Sequence, residues 1–230
     1  MLLLSSAKWR TTSNGNRRMD SHPTALPRLR AAACLTALLA FGWLIRLVPP
    51  RFLPNAPADP VRAALVLMFV LNGLEVYVLL VLRRFLAARV RAANPGQYLV
   101  ALAALFATGA LASAYLLLSG LSDQPADLVR NGPYLALVAY LPLSQLAVGT
   151  LLIAFGYSVL RSVPDRDAPL RRYAHTQLAA GVGLSSMVFA PVAALAMGAG
   201  HLILAAAFWK DARPARAPQE RHAFGHVTPA

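Results

Sequence analysis

Residues 61–82 read VRAALVLMFVLNGLEVYVLLVL. Twenty-two residues with a single charge near the start and a single acid, Glu75, inside are long enough to cross a bilayer. The hydrocarbon core is about 30 Å thick and a helix rises 1.5 Å per residue, so about 20 apolar residues suffice. Asp59 is placed to cap this segment, with Pro60 at the first helical position.

Four more blocks of the same kind lie around it. Ala31–Val48 carries only Arg46 near its end and stops at Pro49-Pro50. Tyr98–Leu121 sits in an uncharged run from Ala92 to Ser122, separated from the previous block by Pro95-Gly96. Pro133–Leu160 is opened by Asn131-Gly132-Pro133 and closed near Pro164. Tyr173–Trp209 is the last, with Asp167 and Pro169 as start signals. Alternation is missing and the blocks are about twice the length of a tilted barrel strand, so helices are the expected element.

The composition agrees. Of 230 residues, 57% are hydrophobic and 13% charged, against roughly 45–50% and 25% in soluble domains. A water-soluble globule, a disordered chain and a disulfide scaffold are excluded; the single cysteine, Cys34, can form no internal disulfide. The sequence predicts an all-α, multi-pass transmembrane bundle of five spanning helices over residues 29–210. A polar tail, 1–28, and a Pro-containing tail, 211–230, flank it, both expected to be disordered. Leu2-Leu3-Leu4 is too short for a signal-peptide core, and Met19 is a plausible alternative start. Abundant Ala, Leu, Arg and Pro with scarce Ile and Lys suggest a GC-rich bacterial genome, and hence an inner membrane.

The net charge of +13 would point to nucleic acid in a soluble protein. Here the arginines sit between apolar blocks, as cytoplasmic loops do, so no nucleic-acid partner is expected. Five spans place 14 basic residues on the side of the N-terminal tail and 8 on the other, which favours a cytoplasmic N-terminus. The C-terminal tail conflicts with this, because Lys210, Arg213, Arg216 and Arg221 then face outside. A break in the 37 uncharged residues of Tyr173–Trp209, at Pro191 or at Gly198-Ala199-Gly200, would fold that block into a hairpin and remove the conflict. One long tilted helix is the simpler reading, since two full spans need about 40 residues.

Trp43, Tyr98, Tyr134, Tyr157, Tyr173 and Trp209 fall near block ends, where amphipathic rings favour the headgroup level. Small residues four apart (Ala103 and Ala107, Gly109 and Ser113, Ala194 and Gly198, Ala196 and Gly200) read as packing faces.

No catalytic constellation, phosphate loop, metal-ligand motif or cofactor motif is present in the pattern of residues. Gly183-Leu184-Ser185-Ser186 lacks the closing glycine of a nucleophile elbow. The pointed feature is Asn72 with Glu75, three apart and so on neighbouring parts of one helix face. Ionisable groups at such depth are costly and face a bundle interior or a water cavity. Gln145 stands 14 residues after Asn131, as Glu75 stands 14 after Val61, so the two are expected at one depth. Ser144, Thr108 and Ser185 could complete a polar layer. Glu75 is expected to hold a proton or a partner rather than remain a bare carboxylate. His201 is a secondary candidate; His175, beside Arg171 and Arg172, reads as interfacial.

These residues fit a small permease-like protein, or a subunit or scaffold of a membrane complex. Its partners would be the bilayer and other membrane proteins or further copies of the chain. The alternative is a membrane-embedded enzyme acting on a lipid or isoprenoid, for which Asp165 and Asp167 are the available acids.

Overall fold

The computed structural model describes residues 25–45, 47, 60–89, 94–119, 132–186 and 188–212. These form six helices, with no strand among the described residues: α1 Ala25–Ile45, α2 Pro60–Ala87, α3 Asn94–Leu118, α4 Gly132–Ser162, α5 Ala168–Ser185 and α6 Ala190–Asp211. Five of them, α1, α2, α3, α4 and α6, are long and apolar enough to cross a membrane. Met19, Asp59 and most of both tails lie outside the described residues. The first helix begins at Ala25, inside the tail expected to be disordered, and takes Arg28 and Arg30 into its first turns.

The single-helix reading of the last block is corrected: it is a hairpin. Pro191 stands at the start of α6, where its missing N–H costs nothing; inside a continuous helix it would remove a bond and clash with the preceding turn. Ser186 serves both ends of the turn. Its hydroxyl donates to the Gly183 carbonyl (2.9 Å) and accepts the Phe189 N–H (3.3 Å). The hairpin fits because α5 starts at Ala168, after the N-cap Asp167. It therefore includes Arg171 and Arg172, whose long side chains can reach water from the first turn.

Glycines set the closest helix approaches. A Cβ on Gly181 of α5 would lie 2.6 Å from the Gly149 carbonyl of α4, and one on Gly156 would lie 2.8 Å from the Ala174 carbonyl. The pairs 149–181 and 156–174 run in opposite directions, so α4 and α5 are antiparallel in near backbone contact. Gly183 meets Ala193 and Gly200 meets Thr176 and Gln177, which continues this packing into α6. On its other side, α6 receives Leu44 and Ala40 of α1 at Gly198. Without a hydrophobic drive between helices in lipid, such close van der Waals packing is a main source of association.

Two groups result. Helices α2 and α3 pack along one another as a hairpin; α4, α5, α6 and α1 form a continuous layer in that order. The groups touch more sparsely, α1 on α2 and α3 on α4. One buried apolar cluster nonetheless runs through both.

One residue fixes the topology. Arg89, in the turn after α2, hydrogen-bonds Asp167 (3.2 Å), which precedes α5, and pairs with Asp211, the last residue of α6. The α2–α3 turn, the α4–α5 turn and the end of α6 therefore share one end of the bundle. Leu44, at the end of α1, packs on Gly198 in the first half of α6, while Ala32 and Ala33 near the start of α1 are still buried. So α1 runs antiparallel to α6 and starts at that same end. Among the described residues, every Lys and Arg except Arg62 lies there.

Candidate functional site

Glu75 lies 12 residues before the end of α2 at Ala87, and His201 lies 10 before the end of α6 at Asp211. Counted from the shared basic end, they are at nearly the same depth, and the structure brings them together. Glu75 is 2% exposed and His201 is 2% exposed. His201 Nε2 stands 3.2 Å from Glu75 Oε1 and 3.3 Å from Oε2. The Trp43 indole N–H of α1 donates to Glu75 Oε1 at 2.7 Å. One carboxyl thus joins three helices.

Local sequence makes this approach possible. Gly42 precedes Trp43, and a Cβ there would lie 2.3 Å from Leu71 Cδ2, so a larger residue would require the Leu71 side chain to shift. Gly200 precedes His201 and gives the same closeness toward α5, where Gln177 is buried. The phenol of Tyr173, also on α5, is within electrostatic reach of Glu75.

The hydrogen-bond chemistry of His201 restricts its proton. Nδ1 lies 2.7 Å from the Met197 carbonyl oxygen. A carbonyl only accepts, so Nδ1 carries hydrogen. Nε2 then either accepts from a protonated Glu75 or donates to a carboxylate. In both arrangements one proton lies between the two groups. With none, two acceptors would face each other.

Asn72, one turn before Glu75, is buried too, but beside α3: a Cβ on Gly109 would lie 2.9 Å from its Nδ2. Glu75 and Asn72 therefore serve different neighbours. Gln145 does not join them. It is exposed on α4, 17 residues before Ser162 and so further from the basic end than Glu75. Counting depth from a presumed helix start placed it wrongly, and α5 stops at Ser185 before it can cover this turn of α4. Thr108 hydrogen-bonds Tyr140 (2.5 Å) across α3 and α4. Ser185 is packed against Gly149.

Trp43 and Tyr173, expected at the interface, are buried at 8% and 3% exposure. Tyr157 and Trp209 do face outward, and so does His175. The residues that sequence reasoning missed here are Trp43 and Arg89. Trp43 carries a buried donor that would be costly without an acceptor, and Arg89 stands where two acids of other helices come within its reach.

At the basic end, the Arg89 guanidinium lies 4.2 Å from the Phe85 ring centroid, and Phe85 meets Phe208 of α6 edge-on at 5.0 Å. Asp165 pairs with Arg171. Among the described residues, no group of three or more His, Cys, Asp or Glu stands close enough to hold a metal ion. A groove of about 390 Å³ on the α5–α6 hairpin is lined by Leu178, Ala179, Val182, Gly183, Phe189 and Val192; with only apolar side chains, it offers no reacting group. Comparison of the chain with known protein families, with curated proteins and with solved structures found no match.

Proposed function

We propose that this protein is a small permease-like membrane protein in which the α2–α3 hairpin moves against the layer formed by α1, α6, α5 and α4. The observation that carries this reading is the kind of bond at the seam. Within the layer, helices meet through glycines in near backbone contact. Between the two groups, the contacts of Gly42 with Leu71 and of Phe85 with Phe208 are side-chain contacts, joined by polar bridges at several depths. Thr108 meets Tyr140, Glu75 meets Trp43 and His201, and Arg89 meets Asp167 and Asp211. Polar bridges can exchange partners with water or substrate as a seam opens, whereas tight glycine contacts resist sliding.

The basic end faces the cytoplasm in this proposal, following the bias of Lys and Arg toward that side. The start of α1 and the end of α6 are then cytoplasmic, and the charge conflict of a five-crossing topology disappears. A bacterial inner membrane is the setting suggested by the residue usage. The enzyme alternative is less well supported, because Asp165 and Asp167 are engaged by Arg171 and Arg89 rather than grouped for metal or phosphate.

Spin-label distances test the proposal. In a Cys34→Ser background, one pair of labels is placed at Leu118→Cys and Val188→Cys, and another at Arg84→Cys and Arg166→Cys, in lipid nanodiscs over a range of pH. A permease shows two distance populations that shift in opposite senses at the two ends. A single unchanging population at both ends would mean a rigid scaffold or subunit.

A further inference from the structure

We infer that Glu75 and His201 form a binding site for one exchangeable proton at mid-depth, and that losing this proton frees α6 from α2. The role assigned to the release rests on the moving-seam reading; the site itself rests on the hydrogen-bond geometry alone.

The Met197 carbonyl holds His201 Nδ1 as a donor. The proton between Nε2 and Glu75 is therefore the one that can leave without breaking a bond inside α6. When it passes to water as hydronium, a carboxylate and a neutral imidazole remain. The Nε2 lone pair then faces an anion at 3.2–3.3 Å with no hydrogen between them, and the contact becomes repulsive. Trp43 still donates to Glu75, so the carboxylate keeps its bond to α1, while His201 keeps its bond to Met197 of its own helix. A second proton on the pair would place a net cation in the apolar core, which is costly.

Further described groups stand around the pair. From α5, Tyr173 is buried and within electrostatic range of Glu75. From α1 comes the indole of Trp43, and on α2 itself the carboxamide of Asn72; neither titrates in the ordinary range. The nearest cations along the two helices are Arg83 and Lys210, roughly 12 and 14 Å away at 1.5 Å per residue.

The test is a pH titration of the full chain in lipid nanodiscs. It is followed by infrared absorption of the protonated carboxyl and by nitrogen NMR of labelled histidine, with Glu75→Gln and His201→Gln as comparisons. Glutamine at 75 can still accept from Trp43 and donate to Nε2, so that variant keeps both bonds without an exchangeable proton. The expected result is one step in the wild type, seen together by both signals, that is lost in both variants. A wild type without such a step, or a step that persists in both variants, overturns the proton site. The spin-label distances separate the two proposals. A proton step with fixed distances keeps the site and removes the permease reading, and distances that shift without a step do the reverse.

Discussion

His201 Nε2 lies 3.2 Å from Glu75 Oε1, although 126 residues separate them in the chain. This contact and the Trp43 bond predict an asymmetry between two substitutions. Glu75→Gln should leave the thermal unfolding temperature close to wild type, because both bonds have a replacement. Glu75→Leu removes both, and it strands the Trp43 N–H. At about 0.6–2 kcal/mol per intramembrane hydrogen bond, it should cost about 1–4 kcal/mol. Thermal unfolding in detergent measures this, and equal stability of the two variants would contradict it.

Packing gives a second contrast. Gly181→Ala would press a methyl onto the Gly149 carbonyl, which is backbone and cannot swing away. The expected loss is about 1–3 kcal/mol, as for other overpacked sites. Gly73→Ala, with nothing within 4 Å of the added carbon, should be neutral or stabilising by up to about 1 kcal/mol, from helix propensity. Denaturation of the two variants side by side checks the difference; a destabilised Gly73→Ala would count against the packing described.

The shared end of the bundle predicts topology. Reporters fused after Arg172 and at Ala230 should both report the cytoplasm, and a reporter after Leu121 should report the opposite side. An exported C-terminal reporter would rule out the hairpin of α5 and α6.

Arg89→Ala should weaken the basic end while leaving the middle of the bundle intact. The side chains of Arg89, Asp167 and Asp211 are about a third exposed or less, so solvent screens them and the loss should be modest, about 1 kcal/mol or less. Hydrogen exchange should rise in the turns near Arg89, Asp167 and Asp211 and stay unchanged around Met197 and His201. Unchanged exchange at the turns would show that Arg89 does not hold them.

The spans were legible because bilayer thickness acts on each helix separately, so Val61–Leu82 could be read alone. Glu75 was legible for the same reason: a single acid in an apolar run stands out wherever its partner lies. Its partner was not legible from a count that began at Val61 and Asn131, because α2 and α4 extend differently beyond their apolar parts. Gln145 was placed by that count. The count from the charged ends, where the turns are pinned by Arg89, places His201 instead. Trp43 looked interfacial by position, but Gly42 draws it inward, a contact that depends on Leu71 of another helix. Pro191 did mark the break in the last block. The space for a hairpin was underestimated because the arginines of α5 were excluded from the span.

The separation of Glu75 from His201 also matters during synthesis. At about 5–20 residues per second, α6 emerges roughly 6–25 s after Glu75 does. Trp43 is made first, so it can take one oxygen of the carboxyl as soon as α2 forms. Until α6 arrives, the nascent chain lacks the imidazole that shares a proton with this acid. Release from the inserting apparatus is therefore tied to α6, and a chain cut before α6 should remain a client of that apparatus and of membrane proteases.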